Sequence, residues 1–249
     1  MIKFFRRIRQ KLIAQNRFSK YLLYAIGEIV LVVIGILIAL QVNEWNQDRK
    51  ERHRELGYLN EIRNNLTSDS LQLINIVETN NKKVQLYDSI VERFDIKYPK
   101  EAHSRFIALN IKKIAGFELF KLNATAFGNM KSTDNLGILS SHELRLKLVE
   151  YYNFNVEIAQ EKLVMQTRQI TEYLNRRIAT KELVQQFLGM DTNFPSQSSV
   201  DLQSDNFLFA SFGSNKTLLT NQKEFANDRL ERLNEIIILI DQEINTLTQ

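Results

Sequence analysis

The sequence predicts an all-α protein in which an N-terminal transmembrane helix continues into an elongated antiparallel helical bundle. Only two prolines and eight glycines occur in 249 residues, which is too few for the many turns of a sheet. Apolar residues recur at spacings of three and four over three long stretches, the pattern of one buried helix face. Single helices of this kind are not stable alone, so we expect them to pack together.

The stretch 21–42 is long and apolar enough to cross a bilayer. Fourteen of its side chains are Leu, Ile or Val, and a helix of this length spans roughly 30 Å. Their summed insertion free energy, roughly −4 to −8 kcal/mol, exceeds the cost of up to about 3 kcal/mol for the one acid, Glu28. A soluble core helix is disfavoured because the segment has no polar face. A cleaved signal peptide is disfavoured because no Ala-x-Ala-type site precedes Asn43.

Residues 1–20 form a basic arm without Asp or Glu. Such an excess of positive charge predicts a cytoplasmic N-terminus, so that 43–249 would be an exported, periplasmic domain of a single-pass protein. The basic residues expected to contact membrane lipid are Arg6, Arg7, Arg9 and Lys11. The alternative is that these charges only set the topology.

The rest of the chain is not basic. Without the seven Lys and Arg residues of the arm, 26 basic residues remain against 29 acidic ones. No basic patch for nucleic acid is therefore expected. The chain has no cysteine, and His53, His103 and His142 are too far apart for a metal-binding pattern. No Gly-rich phosphate loop or Gly-x-Ser-x-Gly elbow occurs. We expect no enzyme activity, no catalytic residue, no metal and no cofactor.

Three long helices are predicted after the apolar stretch. The first continues from it to Phe94. The second begins at a capping box, Ser140 to Glu143, and runs to about Leu188 with Ile158 among its buried positions. The third runs from about Thr217 to Leu247. Its apolar residues have the a/d spacing of a coiled coil: Leu230, Leu233, Ile237, Ile240, Ile244 and Leu247.

Small residues form a row within the apolar stretch. Gly27, Gly35 and Ala39 lie on adjoining faces of a helix with Glu28, which needs a partner, a proton or contact with the interface in hydrocarbon. We expect this face to dock another transmembrane helix, of a second copy or of another protein. The alternative is that Glu28 is hydrated near the headgroups.

A polar turn, 131–135, is the most distinctive feature after the apolar stretch 21–42. It lies between apolar residues and consists of Lys131, Ser132, Thr133, Asp134 and Asn135. One interpretation is a turn that connects two helices. The other is a site for a small polar ligand near Arg145 and Tyr151.

Three stretches, 25–46, 125–139 and 144–152, resemble an uncharacterised family of single-pass membrane proteins from Bacteroidota. The resemblance is strongest at the Gly-Glu pair, the apolar run and the Trp-Asn that follows it. It implies a Gram-negative inner membrane and a periplasmic domain, and it implies no activity. The family often has Ser-Gly where this chain has Thr133 and Asp134.

Two functions compete. The first is a noncatalytic, membrane-anchored scaffold or interaction protein of a membrane complex, whose partner is another transmembrane protein or a second copy. The second is a periplasmic ligand-sensing domain that signals through a partner. The second requires a partner because the basic arm is too short to form a domain.

Overall fold

The computed structural model describes residues 18–178, 189 and 201–248. The elements in these ranges are α1 Phe18–Glu92, α2 Lys100–Ala115, α3 Thr125–Ser132, a 3₁₀ turn Leu136–Ile138, α4 His142–Tyr152, α5 Val156–Ile178 and α6 Asn206–Thr248. The all-α prediction is confirmed, and so is the continuation of the apolar helix beyond residue 42. The predicted membrane-surface residues Arg6, Arg7, Arg9 and Lys11 lie outside the described residues.

The chain divides into two compact units at Gly57. In the first unit, α1 contains a window with a mean hydropathy of 2.6, none of which is buried. Among the described helices, this one is long and apolar enough to span a membrane. The second unit contains the remainder of α1 together with α2 to α6.

In the second unit, α6 runs antiparallel to α1 and also to α4 and α5. Two ion pairs show that α1 and α6 run in opposite directions. Arg63 of α1 pairs with Asp241 near the end of α6 (2.6 Å), whereas Asp88, later in α1, pairs with Lys216, earlier in α6. Lys147 of α4 forms an ion pair with Glu235 of α6 (2.7 Å). Further along, Thr167 of α5 donates a hydrogen bond to Asn215 of α6. The predicted antiparallel packing of helices is therefore present in this unit.

The buried seams of α1, α5 and α6 follow a heptad, and polar residues occupy some of its positions. Spacings alternate between three and four, as in a coiled coil. On α6 the buried seam is Leu208, Phe212, Asn215, Leu219, Gln222, Ala226, Arg229, Leu233, Ile236 and Ile240. On α5 it is Val156, Gln160, Leu163, Thr167, Ile170 and Leu174.

The seam predicted for α6 is therefore only partly right. Leu233 and Ile240 are fully buried, but Ile237 is half-buried and lies beside the true seam, which passes through Ile236. The error arises because Gln222 and Arg229 occupy buried heptad positions. A pattern built from apolar residues alone passes over them.

The second predicted helix is interrupted. Ser141, and not Ser140, caps α4 by accepting a hydrogen bond from the Leu144 amide (3.2 Å). The helix ends at Tyr152, and the Asn155 side chain then caps α5 by accepting from the Ile158 amide (3.1 Å). Asn favours caps over helix interiors because its side chain competes for backbone amides. Ile158 is exposed rather than buried.

The last helix begins at Asn206, eleven residues before the predicted start at Thr217. Asp205 supplies the cap, since its Oδ1 accepts a hydrogen bond from the Leu208 amide (3.0 Å). Its Oδ2 accepts from Tyr173 Oη (2.6 Å) and Arg177 Nη2 (2.9 Å) of α5. Asp205 therefore fixes the start of α6 against the end of α5. Although burial opposes ionisation, these hydrogen bonds keep the pKa of Asp205 below its usual value.

Candidate functional site

A charged layer, defined as Asp69, Tyr151 and Arg229, crosses the core of the helical unit. The three residues come from α1, α4 and α6 and are buried. The Asp69 carboxylate accepts hydrogen bonds from the Asn123 amide (3.0 Å) and Tyr151 Oη (3.2 Å). Arg229 Nη2 donates to the Tyr151 carbonyl (3.0 Å), and its Cζ lies 3.9 Å from the centre of the Tyr151 ring.

The position of Arg229 follows from the break between α4 and α5. The last carbonyls of a helix lack intrahelical partners and carry partial negative charge. Tyr151 lies in the last turn of α4, so its carbonyl attracts the guanidinium. The centre of the Phe154 ring, on the connection after α4, lies 5.2 Å from Arg229 Cζ.

Burial controls the electrostatics of the charged layer. It raises the pKa of Asp69 to about 6, although two hydrogen bonds and the charge of Arg229 oppose this shift. Burial and the charge of Asp69 likewise raise the pKa of Tyr151. Both shifts have one cause, since a charge in a region with little water is poorly stabilised.

Two polar groups of this region have unused hydrogen-bonding capacity within the described part of the chain. Arg229 Nε and Tyr152 Oη are buried and have no hydrogen-bond partner there. Arg229 and Tyr151 also line a groove of about 570 Å³ between α4 and α6. Its other lining residues include Lys147, Glu150, Phe154, Phe225, Asp228, Arg232, Glu235 and Ile236. The groove is thus lined by apolar side chains, charged side chains and a buried guanidinium.

Most of the other charged side chains that line this groove are paired with one another, although Glu231, which also lines it, forms no ion pair within the described residues. Arg232 forms ion pairs with Glu150 (2.6 Å) and Asp228 (3.0 Å), while Lys147 pairs with Glu235. No described carboxylate forms an ion pair with Arg229. A guanidinium binds carboxylates well because its N–H groups form a planar fork. The groove therefore combines the Arg229 guanidinium with four carboxylates, three of which are paired, and offers no nucleophile with an adjacent base.

An amide layer, defined as Asn80, Gln160 and Gln222, lies next along the core. Asn80 Nδ2 donates to Gln222 Oε1 (2.8 Å), and Gln222 Nε2 donates to the Glu118 carbonyl (2.8 Å). Gln160 bonds both backbone groups of Phe120, at 2.7 and 2.9 Å. Neutral side chains thus hold the segment before α3 against three helices.

A third polar layer consists of Tyr87, Thr167 and Asn215. Asn215 Nδ2 donates to Tyr87 Oη (2.5 Å), and Thr167 Oγ1 donates to Asn215 Oδ1 (3.3 Å). Burial raises the pKa of Tyr87 to about 12, so its hydroxyl stays protonated at neutral pH. This layer is neutral, as the amide layer is.

The polar turn 131–135 forms the C-terminal end of α3. Asp134 has φ 55°, in the left-handed region. The Asn135 amide donates to the Met130 carbonyl (2.9 Å) and the Asp134 amide to that of Lys131 (3.3 Å), which together form a Schellman motif. Such a position favours glycine, which explains why the resembling family often has Gly where this chain has Asp134.

The other residues of the predicted ligand site make contacts with different partners. Asn135 donates a hydrogen bond to Tyr58 Oη (3.0 Å), whereas Arg145 Nη2 lies 3.4 Å from His142 Nδ1. Tyr151 belongs to the charged layer. Ser132 and Thr133 hydroxyls donate to the Asn129 carbonyl. Whether the turn binds a ligand stays a prediction.

Sequence reasoning missed Asp69 and Arg229. A usable signal exists, because both fall on the heptad that their apolar neighbours define. A charged residue at such a position is buried and needs a partner.

The predicted transmembrane interface lies in the first unit. Gly27, Gly35 and Ala39 are exposed, and Glu28 is half-exposed. A Cβ atom added at Gly27 or Gly35 would meet nothing within 4 Å. A second helix could therefore approach these positions closely.

The fold and the site define an all-helical protein with one N-terminal helix able to span a membrane. The chain belongs to a family of unknown function, DUF6090, whose model matches residues 28–187. The match begins at Glu28 and includes Asp69 and Tyr151, whereas α6 and Arg229 lie beyond it. No curated protein and no solved structure matches the chain.

Proposed function

We propose that this protein is a noncatalytic interaction protein, anchored in a bacterial inner membrane by α1 with its helical domain in the periplasm. It would serve as a subunit or accessory of a membrane complex. The observation that carries this proposal is the groove between α4 and α6, which combines the Arg229 guanidinium with the Phe154 and Phe225 rings and with charged side chains. The arrangement suits recognition of a protein segment better than chemistry on a substrate.

The groove indicates the chemistry of the partner segment. A carboxylate, from an acidic side chain or a chain terminus, would face the Arg229 guanidinium that lines the groove, since arginine binds carboxylates well. Phe154 and Phe225 stack with their ring centres 5.5 Å apart, and they would cover an apolar neighbour of that carboxylate. Aromatic residues and arginine are the residue types that contribute most to binding at protein interfaces.

The absence of catalysis is part of the proposal. Its support is that the described residues contain no group of three or more His, Asp or Glu able to hold a metal ion. Moreover, the strongest pKa shift of a carboxylate belongs to Asp69, which is completely buried. A carboxylate there cannot reach a substrate.

Site-specific photo-crosslinking in native membranes tests the groove. A photoreactive residue would replace Phe154, which lines the groove, and Leu109, which is exposed on α2 outside it. We expect one dominant protein adduct from position 154 only. Arg229→Lys keeps the charge and removes the fork, so it should reduce that adduct several-fold. Equal adducts from both positions, or one unaffected by Arg229→Lys, would exclude the groove as the binding surface.

The anchor supports the localisation and a second contact. We propose that Gly27, Gly35, Ala39 and Glu28 face another transmembrane helix. Glu28→Gln should keep most of an interhelical hydrogen bond, whereas Glu28→Leu and Gly35→Leu should each weaken association by about 1 kcal/mol. Disulfide or chemical crosslinking between helices in membranes measures this. Unchanged association in both leucine variants would leave the anchor a simple tether.

Topology needs its own test. A reporter active only in the periplasm, fused after Gln249, should be active, because the arm's positive charge would keep the N-terminus in the cytoplasm. Replacing the arm's Lys and Arg residues with Glu should impair that activity. A cytoplasmic location of the native fusion's C-terminus would overturn the localisation.

A ligand-sensing domain that signals through a partner is the second candidate. The observation that favours it is a cavity lined by lysines between α1 and α2.

A further inference from the structure

A cavity of about 460 Å³ lies between α1 and α2, far along the chain from the Arg229 groove. Residues one turn apart line it from α1: Thr79, Lys82, Lys83 and Leu86. These spacings of three and four place the residues on one helix face. The opposite wall comes from the last turn of α2, with Lys112 and Lys113, and from the chain that follows it.

The cavity brings four lysines together with one carboxylate among its lining residues, that of Glu118. Grouped like charges repel one another, so such a cluster costs free energy unless something offsets it. Part of the offset is local. Lys83 Nζ donates to the Gly116 carbonyl, and the C-terminal carbonyls of α2 favour nearby cations.

That offset is incomplete at Lys83. Burial lowers its pKa, while the charge of Glu118 acts in the opposite direction. The ammonium is therefore less stable in the cavity than in water. An anion placed among the lysines would stabilise it, and the cavity has the volume to hold one.

We propose that this lysine cavity binds a phosphate or diphosphate group, carried either by a soluble metabolite or by a lipid headgroup. Ammonium groups are compact charges with rotatable donors, suited to the several oxygens of a phosphate. Leu86 and Phe117 also line the cavity and would contact the less polar part of such a molecule. The proposal is independent of the partner proposed for the Arg229 groove.

Titration calorimetry of the full chain in phosphatidylcholine nanodiscs tests this proposal with inorganic pyrophosphate as the probe. The variant Lys82→Gln/Lys112→Gln removes two charges from exposed positions in the cavity, so the fold should persist. The control Lys162→Gln/Arg168→Gln removes two exposed charges of α5 that do not line the cavity. We expect saturable binding that the cavity variant weakens at least about tenfold and the control hardly changes.

Nanodiscs containing one-third phosphatidylglycerol distinguish the two sources. If headgroups occupy the cavity, pyrophosphate binds more weakly to the native chain in these discs. If its affinity is unchanged, the ligand is soluble. No saturable binding of pyrophosphate in phosphatidylcholine discs, or equal weakening by the cavity and control variants, would overturn the proposal.

Discussion

The charged layer and the amide layer lie on the same buried seams, yet their polar groups are satisfied differently. In the amide layer, Gln160 and Gln222 bond side chains and backbone with neutral groups whose protonation does not change with pH. In the charged layer, the pKa of Asp69 is raised to about 6. Each layer also has one buried atom without a partner in the described residues, Asn80 Oδ1 in the amide layer and Arg229 Nε in the charged layer. The difference between the layers is therefore that the stability contributed by the charged layer depends on pH.

The largest expected effect comes from Arg229→Met at about pH 8. It removes the cation that partly compensates the buried Asp69 carboxylate, so the free energy of unfolding should fall by ~3–5 kcal/mol. Urea denaturation followed by circular dichroism measures this. The matched control is Arg232→Met, because Arg232 is half-exposed and forms surface ion pairs worth about 0–1 kcal/mol. Equal losses in both variants would contradict a special role for the charged layer.

The second prediction concerns pH. The carboxyl pKa of Asp69 is about 6 in the folded state against an ordinary value of 3.8, so the folded state binds more protons between these values. As pH rises from about 4 to 6, the native chain should therefore lose stability relative to Asp69→Asn, by up to about 3 kcal/mol. Above pH 7 the difference should be constant. A difference independent of pH throughout would show that Asp69 is not buried as described.

Gln222→Leu probes the amide layer. It removes the acceptor of Asn80 Nδ2 and the donor to the Glu118 carbonyl, so it should cost about 1–2 kcal/mol. This loss of stability should be the same at pH 5 and pH 8, whereas a loss caused by a change in the charged layer should depend on pH. Gln242→Leu, at an exposed position of the same helix, should change stability by less than about 0.5 kcal/mol. A pH-dependent loss would remove the distinction between the layers.

The smallest expected effect concerns the turn at Asp134, which lies outside both layers. Asp134 holds φ 55° at the end of α3, so Asp134→Gly should stabilise the protein by about 0.5–1 kcal/mol. Thermal melting measures it. Asp134→Ala keeps the strain and should not stabilise. A gain from alanine equal to that from glycine would mean that backbone strain is not the cause.

The sequence predicts helices well here and their buried faces less well. Leu233 and Ile240 were found because apolar spacing marks them. Ile236, which lies between them in the seam, and Arg229, one seam position before Leu233, became recognisable only when the buried polar residues were included. Periodicity of apolar residues detects that a helix has a buried seam. It identifies the wrong face of the helix as buried when polar residues occupy several of the heptad positions, as Asn215, Gln222 and Arg229 do on α6.

The candidate site depends on contacts that no single stretch of sequence contains. Asp69, Tyr151 and Arg229 are brought together by the antiparallel packing of α1, α4 and α6. The break after Tyr152 that creates the groove depends on capping by Asn155, a local competition that helix propensity decides only weakly. The turn at Asp134 is local in sequence, but its left-handed backbone was not predicted either, because an aspartate gives no clear sign of that conformation.

The polar positions of α6 have a further consequence for how the chain folds. Asn215, Gln222 and Arg229 are seven residues apart, so an antiparallel helix of apolar heptads could slide by one repeat and still bury its seam. Such a slide would bring Ile236 opposite Asp69 and leave that carboxylate buried without a cation, at a cost of several kcal/mol. Each polar position therefore helps to fix the register of the helices, because a misaligned pairing would bury it without its partners.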